Sequence, residues 1–214
     1  MMADARELQL LVVAVLLAGV WSWVGAYDSA VWWLESLPVW IALLILGVTY
    51  RQFPLTRLAY WLVFCHAVVL LVGAHYTYSR VPLGNWLAEA LDLKRNHYDR
   101  FAHVVQGFVP AIIAREILIR HAVVRSPRWL FFLVVSFCLG FSAFYELIEW
   151  QSVIWGGDGS TEFLGTQGDI WDAQWDMALA LSGAILAQLL LARRHDRQIG
   201  AVATGYPRWL TGVK

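Results

Sequence analysis

Apolar residues of this chain are gathered into six runs, each close to the length needed to cross a bilayer. A hydrocarbon core of about 30 Å is spanned by roughly 20 helical residues, and a chain in lipid must satisfy its own backbone hydrogen bonds, which favours helices. The runs cover residues 8–26, 31–50, 55–78, 100–119, 129–155 and 172–192. Glu35 and Pro38 interrupt the start of the second run, which makes it the weakest. The pattern predicts an all-α, polytopic membrane helix bundle of about six transmembrane helices, forming a single integral membrane domain over residues 1–214.

The composition indicates that the bilayer is the solvent of this chain. Hydrophobic residues make up 59% of its 214 residues and 13 residues are Trp, while the mean hydropathy is +0.56, outside the usual range of soluble proteins. The formal net charge is zero, so we expect the lipid bilayer as a partner and no nucleic acid. Cys65 and Cys138 each lie inside an apolar run without a CxxC spacing, which indicates packing and not a metal or redox pair.

Basic residues divide unevenly between the two alternating sets of segments that flank the runs. One set holds 12 of the 16 basic residues, namely Arg6, Arg51, Arg57, Arg115, Arg120, Arg125, Arg128, Arg193, Arg194, Arg197, Arg208 and Lys214. The other set holds Arg80, Lys94, Arg95 and Arg100. Because Lys and Arg are enriched in cytoplasmic loops, both termini are predicted to be cytoplasmic, which six spans allow. Asp4 and Glu7 beside Arg6 favour a retained first helix over a cleaved signal peptide.

The fourth predicted helix opens with a polar stripe. Asp99, His103 and Gln106 follow one another at i, i+4 and i+7, a spacing that places them on one face of a helix. Such a stripe is unusual in a membrane helix, where polar residues are costly and commonly functional. His75, near the end of the third run, is expected to be an interfacial residue. His66 is expected to hydrogen-bond to a neighbouring helix, whereas His121 and His195 accompany cytoplasmic arginines and are predicted to be ordinary surface residues.

The fifth and sixth predicted helices carry acids at the same predicted outer level. The fifth has Ser142, Glu146 and Glu149 at helical spacing, and the sixth has Asp169, Asp172 and Asp176 at i, i+3 and i+7, followed by Gly183 on the same face. Acids favour a helix N-terminus, where the macrodipole is positive, and this accounts for Asp169 and Asp172 as well as a functional role does. It does not account for Asp176, two turns into the helix, where an acid costs about 2.5 to 3.5 kcal/mol if it reaches the bilayer centre.

These acids outnumber the nearby cations. Five carboxylates are expected to approach one another: Asp99, Glu146, Glu149, Asp172 and Asp176. Arg100 is the obvious basic partner, and one interpretation is a salt-bridged plug that orders helix ends. The other interpretation is a divalent metal ion, because like charges in close contact require protonation or a cation. Carboxylates with an imidazole suit zinc, manganese or iron, and oxygen-rich sets suit calcium or magnesium, so the identity of the metal stays open.

Three groups of motif residues resemble one family. They are Tyr98-Asp99-Arg100 with His103 and Gly107; Glu146 with Glu149-Trp150; and FLGTQGD at 163–169 followed by WD at 171–172 and QWDM at 174–177. These residues resemble the YjdF-like bacterial inner-membrane proteins, a family of unknown function, over about residues 39–192. The resemblance implies a multi-pass protein of a bacterial cytoplasmic membrane. A looser similarity is to VanZ-like membrane proteins, which set an Asp-basic-x-x-His element before a Glu-bearing helix, but whose later helix has Asp followed by Asn in place of Asp172 and Asp176.

The function that these patterns favour is a membrane-embedded enzyme or binding protein for a lipid or envelope-derived ligand. His103 with Glu146 or Glu149 would carry out acid-base work, and Asp172 and Asp176 would hold a divalent metal or its bound water. The chain has no GxSxG, P-loop or GxGxxG motif, which leaves serine-hydrolase, nucleotide-hydrolase and dinucleotide chemistry without support. A proton- or cation-coupled transporter and a non-catalytic structural protein are the alternatives. The inner halves of the last three helices look nearly all apolar, which favours a one-sided site. The oligomeric state stays open.

Overall fold

The computed structural model describes residues 4–156 and 166–201, and helices make up most of both ranges. In these ranges there are seven α-helices and no strand: α1 (Ala5–Trp23), α2 (Ser29–Thr49), α3 (Arg57–Tyr76), α4 (Pro82–Ala90), α5 (Tyr98–Arg120), α6 (Pro127–Gly156) and α7 (Asp172–Gly200). All except α4 are long and apolar enough to cross a membrane. The prediction of an all-α protein with six transmembrane helices is therefore confirmed, while the side on which the termini lie stays a prediction.

Several helix ends differ from the predicted ones for reasons of capping. The Asp4 carboxylate accepts a hydrogen bond from the backbone N–H of Glu7 at 2.7 Å, so α1 begins earlier than residue 8. The Asp28 carboxylate accepts bonds from the N–H groups of Ala30 and Val31 at 2.8 and 3.0 Å and starts α2 ahead of Glu35. The first backbone N–H groups of a helix have no partner within the helix, and a side chain that accepts from them fixes where the helix begins. Hydropathy does not report this position.

Helix α4 was not predicted, because its nine residues are too few for a span. Pro82 occupies its first turn, where proline is well tolerated because the missing N–H has no helical partner. Gly84 packs so closely against Asn96 that a Cβ at this position would overlap the Asn96 amide. Asn96 in turn donates to the Val81 carbonyl at 2.9 Å and to Asn85 at 2.7 Å. Helix α4 is thereby fastened to the segment that leads into α5.

The closest helix pair in the bundle is α5 with α7, and glycine makes their approach possible. A Cβ at Gly107 would overlap the backbone carbonyl of Ala180, and a Cβ at Gly183 would overlap that of Val104. Small residues at such crossings let two backbones meet in a membrane. Helix α5 also packs against α3 and α6, and α3 carries α1 and α2 on its other side. Helices α5 and α7 thus meet in direct backbone contact at these glycines.

The end of the bundle opposite the predicted site contains a second polar cluster, which we call the Glu116 cluster. Glu116 is fully buried and accepts bonds from Thr56 Oγ1 at 2.8 Å, Arg120 at 2.9 Å and His195 Nε2 at 3.0 Å. Arg115 joins it and pairs with Asp196 at 2.5 Å. Two interpretations were therefore wrong: His195 is a buried residue and not a surface one, and the inner ends of α5 and α7 are not uniformly apolar. His121 is exposed, as predicted.

Candidate functional site

The centre of the candidate site is formed by three buried side chains from α5 and α7. Asp99, His103 and Asp176 each offer one ligand atom, and these atoms lie within 4.8 Å of one another. His103 Nε2 is 3.6 Å from Asp99 Oδ1 and 3.9 Å from Asp176 Oδ2. A third carboxylate oxygen, Glu146 Oε1 on α6, lies 4.0 Å from the same nitrogen. We call these four residues the His103 cluster.

The orientation of the His103 ring is set by the neighbouring turn of α5. Its Nδ1 lies 2.8 Å from Gln106 Oε1, and because an amide oxygen can only accept, Nδ1 carries the proton. The other nitrogen, Nε2, faces the carboxylates of Asp99, Glu146 and Asp176. A ligating histidine commonly donates its second N–H to an oxygen in this way, which fixes the tautomer and the ring. Gln106 therefore positions His103.

Two carboxylate oxygens in the His103 cluster lack a hydrogen-bond partner among the described residues. They are Asp176 Oδ1 and Glu146 Oε1, both inaccessible to solvent, and Asp176 itself is only 3% exposed. The Ser142 hydroxyl, also fully buried, has no partner in the same part of the chain. Buried polar atoms are nearly always satisfied, so these atoms indicate that the cluster is built to receive a donor or a cation.

The arginines at this end of the bundle pair with other acids. Arg100 Nη2 lies 2.6 Å from Asp169 Oδ2, and its guanidinium lies over the Trp175 ring at 5.4 Å. Arg95 forms an ion pair with Asp172 and lies 3.7 Å from Asp169. The sequence interpretation named Arg100 as the cation for all five acids and did not weigh Arg95. In the structure Arg100 pairs with Asp169 and Arg95 pairs with Asp172, and we call these two ion pairs the rim pairs.

The rim pairs depend on a short contact between two loops. Asn96 N–H donates to Gln167 Oε1 and Gln167 Nε2 donates to the Asn96 carbonyl, both at 2.9 Å. Arg95 also donates to the Thr166 carbonyl at 3.3 Å. This reciprocal contact holds the segment before α5 against the segment before α7. Residues 163–165 of the resemblance motif lie outside the described part of the chain.

Asp169 lies in the turn before α7 and not on the helix, which corrects the predicted spacing. Helix α7 begins at Asp172, so only Asp172 and Asp176 share its face, at i and i+4. Asp169 Oδ1 accepts the Trp171 N–H at 2.9 Å, and this bond together with Arg100 and Arg95 lowers the pKa of Asp169 below its ordinary value. Asp169 is therefore a charged residue of the rim.

A cavity of about 880 Å³ lies beside the His103 cluster, between α1, α2, α3, α5 and α6. One end of it is polar and is lined by Glu35, His66, Tyr78, Asp99, His103, Gln106, Tyr145 and Glu149. The predicted site residue Glu149 is therefore on the cavity wall, beyond the His103 cluster. Burial and nearby acids, Glu35 first among them, raise the pKa of the Tyr78 phenol well above its ordinary value, so Tyr78 remains a neutral hydrogen-bond donor at this end.

Glu35, Tyr78 and Tyr145 have no predicted site role. His66 is predicted to hydrogen-bond to a neighbouring helix, but its Nε2 is buried without a hydrogen-bond partner among the described residues. Glu35 carried a usable signal, because an acid inside an apolar run is costly and marks a functional position by default. In the structure it is buried, at 3% exposure. The two tyrosines carried no such signal, since aromatic residues are common throughout this sequence.

Comparison with known proteins agrees with this architecture. Residues 7–197 match the family model described as a predicted membrane protein (DUF2238). Over 180 residues the chain is 47% identical to the inner membrane protein YjdF of Escherichia coli (strain K12), a match that covers 84% of this chain and 86% of that protein. No solved structure matches the chain significantly. The YjdF-like resemblance is thereby confirmed, and the chain belongs to the DUF2238 family of predicted membrane proteins.

Proposed function

We propose that this chain is a metal-dependent enzyme of the inner membrane that acts on a lipid or envelope-derived substrate. The observation that carries the proposal is the convergence of Asp99, His103 and Asp176 in a buried position, with an unpartnered Asp176 oxygen among them. Three protein ligands and an open position are typical of catalytic metal sites. The described relative is itself an inner membrane protein, which supports the location.

The donor set favours a transition metal. One imidazole nitrogen with carboxylates suits zinc, manganese or iron better than calcium, which prefers six to eight oxygens. At metal–ligand distances of about 2.0 to 2.2 Å, tetrahedral donors lie about 3.3 to 3.6 Å apart, so ligand atoms that lie within 4.8 Å of one another would have to draw together by up to about 1.5 Å on binding the ion. The ion would neutralise the negative charge that the rim arginines leave unbalanced.

Glu146 is the residue placed to handle a proton. Its Oε1 faces His103 Nε2 at 4.0 Å and has no hydrogen-bond partner in the described ranges. A carboxylate in this position would act as a general base toward an attacking water, and the ion held by Asp99, His103 and Asp176 would lower the pKa of that water. Glu149, on the cavity wall, is the second acid-base candidate. Asp172, paired with Arg95, would hold the rim and not the ion.

The structural alternative makes a different demand on Arg100. A salt-bridged plug requires arginines to neutralise the buried acids. Arg95 does so for Asp172, whereas Arg100 is engaged by Asp169 and the carboxylates of Asp99, Glu146 and Asp176 face His103. The transport alternative requires polar groups along a path. Between His103 and Arg115 the buried residues of α5 are apolar or glycine: Gly107, Val109, Ala111, Ile112 and Ala114. Both observations favour the enzyme.

The test is metal content together with chelator sensitivity. Wild-type protein purified in mild detergent should retain a divalent metal on elemental analysis, and His103→Ala and Asp176→Asn should lose it. Chelation should lower the wild-type melting temperature, because an ion present at 100 times its Kd stabilises the folded state by about 2.7 kcal/mol. Glu89→Ala, an exposed acid of α4, is the matched control and should keep both metal and chelator response. Wild-type protein without metal, with a melting temperature unmoved by exhaustive chelation, would refute the proposal.

Turnover is measured separately. Membrane lipid extracts incubated with metal-loaded wild type should show a substrate loss and a product gain that Glu146→Gln abolishes while keeping its metal. A Glu146→Gln variant as active as wild type would remove Glu146 from the chemistry.

A further inference from the structure

The cavity beside the His103 cluster extends along most of the membrane-crossing length of α2. Its lining includes Glu35 near one end of that helix and Tyr50 just beyond the other. Fifteen residues at 1.5 Å per residue correspond to about 22 Å, a large part of a hydrocarbon core of about 30 Å. On α1 the lining runs from Ala5 to Leu16. The space is therefore long and runs with the helices.

Polarity changes along this length. Toward the His103 cluster the walls carry Glu35, Tyr78, Asp99 and Glu149, whereas the middle is lined by aliphatic side chains such as Val12, Val39, Leu43, Val63 and Val109. We call this cavity the channel. Because its middle is apolar and one end carries acids and hydroxyls, its polarity matches that of an amphiphile, which has an apolar chain and a polar group at one end. It does not suit water, which requires several polar partners to occupy a cavity.

The channel is open to the surroundings of the bundle between α1 and α2. Helices α1 and α2 each pack against α3 but make little contact with each other, and the cavity is lined by both. Leu16 and Leu44, two of the lining residues, are exposed, at 47% and 68%. In a membrane these side chains face acyl chains, so the surrounding medium and the channel interior have the same chemistry.

We propose that the channel holds one hydrocarbon chain of a bilayer phospholipid, entering between α1 and α2, with the polar part of the lipid at the His103 cluster. The inference rests on the proposed function and names its substrate class: the scissile group would belong to a lipid whose chain is held along α2. A space of about 880 Å³ is within the usual range of ligand sites.

Two glycines allow a matched test of this assignment. Gly47 lines the channel, and a Cβ there meets no atom within 4 Å. Gly140, in the middle of α6, also has no atom within 4 Å of an added Cβ but does not line the channel. Gly47→Phe should therefore obstruct the channel, and Gly140→Phe should make the same chemical change on a face away from it. Helix propensity changes equally in the two variants.

The experiment equilibrates purified full-length protein with detergent micelles containing palmitoyl-oleoyl phosphatidylglycerol and then measures retained lipid by mass spectrometry. Wild type and Gly140→Phe should retain the lipid equally, and Gly47→Phe should retain several-fold less. Circular dichroism melts confirm folding, and the Gly47→Leu and Gly140→Leu pair replaces the Phe pair if either variant fails to fold. Equal retention by all three proteins, or equal loss in both glycine variants, would overturn the inference.

Metal content separates this result from the proposed function. Gly47→Phe should keep its metal, because Gly47 is not among the donors. Wild type that retains lipid in a Gly47-dependent way but holds no metal would keep the channel and remove the metal enzyme. If wild type retains metal but its lipid retention does not depend on Gly47, the metal enzyme is kept and the channel inference is overturned.

Discussion

Two aspartates one helical turn apart on α7 have different charged neighbours. Each leaves one buried oxygen without a hydrogen-bond partner in the described chain, Asp172 Oδ2 and Asp176 Oδ1, but Asp172 pairs with Arg95 whereas Asp176 faces His103. The first is a compensated charge at a helix N-terminus, where the dipole also favours an acid. The second lies deeper in the helix and faces a histidine. Asp176 is therefore the residue that most requires explanation, and the metal ion that we propose would supply one.

Asp169 should make the stability of the folded protein depend on pH in the acid range. Its pKa is lowered in the folded state below the ordinary value of 3.8, so the folded protein binds fewer protons there than the unfolded chain. The stabilisation is complete above the ordinary value and is lost as pH falls through the folded value. Wild type should therefore melt higher than Asp169→Asn at neutral pH, and the difference should disappear in acid. A difference independent of pH would contradict the ion-pair assignment.

Removing the Glu116 side chain should destabilise the protein much more than removing the Arg100 side chain. Arg100→Ala breaks a pair whose acid partner is 26% exposed, and pairs that reach solvent contribute about 1 kcal/mol or less. Glu116→Ala removes the fully buried partner of Arg120 and His195, a change of about 3 to 5 kcal/mol. Thermal melts of the two variants in one detergent give the order. If Arg100→Ala were the more destructive change, the salt-bridged plug would regain its support.

Residue contacts were predictable where one helix carries them and not where two loops meet. The face shared by Asp99, His103 and Gln106 follows from helical spacing, and the contact between His103 and Gln106 reflects it. Arg95 and His195 were misjudged because their partners, Asp172 and Glu116, are more than 70 residues away in the chain. Charge and hydropathy along a sequence do not report such pairings.

At the scale of elements, the α5–α7 crossing determines how close Asp176 comes to His103. Gly183→Ala should destabilise the protein, because a Cβ there overlaps the Val104 carbonyl and overpacking costs about 1 to 3 kcal/mol. Gly140→Ala, with open space around its Cβ, should instead stabilise by about 0.5 to 1 kcal/mol, since alanine favours a helix. Melting temperatures that move in the same direction for both variants would contradict the role of the crossing.

The number of long helices could be predicted because each must fill a hydrocarbon thickness, and their ends could not. Helix α7 continues past the predicted residue 192 to Gly200, where Arg193, Arg194 and Arg197 are good helix formers but poor membrane residues. Helix α4 is absent from any hydropathy pattern at nine residues. Hydropathy reports the part of a helix within lipid, and capping and loop contacts decide the remainder.

At the scale of the whole molecule, two polar clusters are separated by a mostly apolar layer. His103 and Glu116 are 13 residues apart on α5, about 20 Å at 1.5 Å per residue. In the same interval α7 buries Ala180, Gly183, Ala184 and Ala187, and the one polar residue among them, Gln188, donates to the Phe131 carbonyl at 3.3 Å. The Glu116 cluster has its carboxylate satisfied by several donors, whereas the His103 cluster has unpartnered oxygens. The contrast supports a structural role for the first cluster and is consistent with the metal site that we propose for the second.

The side of the membrane on which the His103 cluster opens follows from the distribution of basic residues and is the last prediction. Because 12 of the 16 Lys and Arg residues flank the Glu116 end or the termini, that end should be cytoplasmic and the His103 cluster should face outward. Reporter fusions at Arg125 and Lys214 should then be cytoplasmic, and a fusion at Asp158 should be external.

Lys214 and Asp158 lie outside the described residues, so Asp92→Cys, an exposed position between α4 and α5, supplies a structural check. An impermeant maleimide should label it in intact cells, with Arg125→Cys labelled only after lysis. The reverse pattern would place the cluster against the cytoplasm and make its substrate a lipid of the inner leaflet.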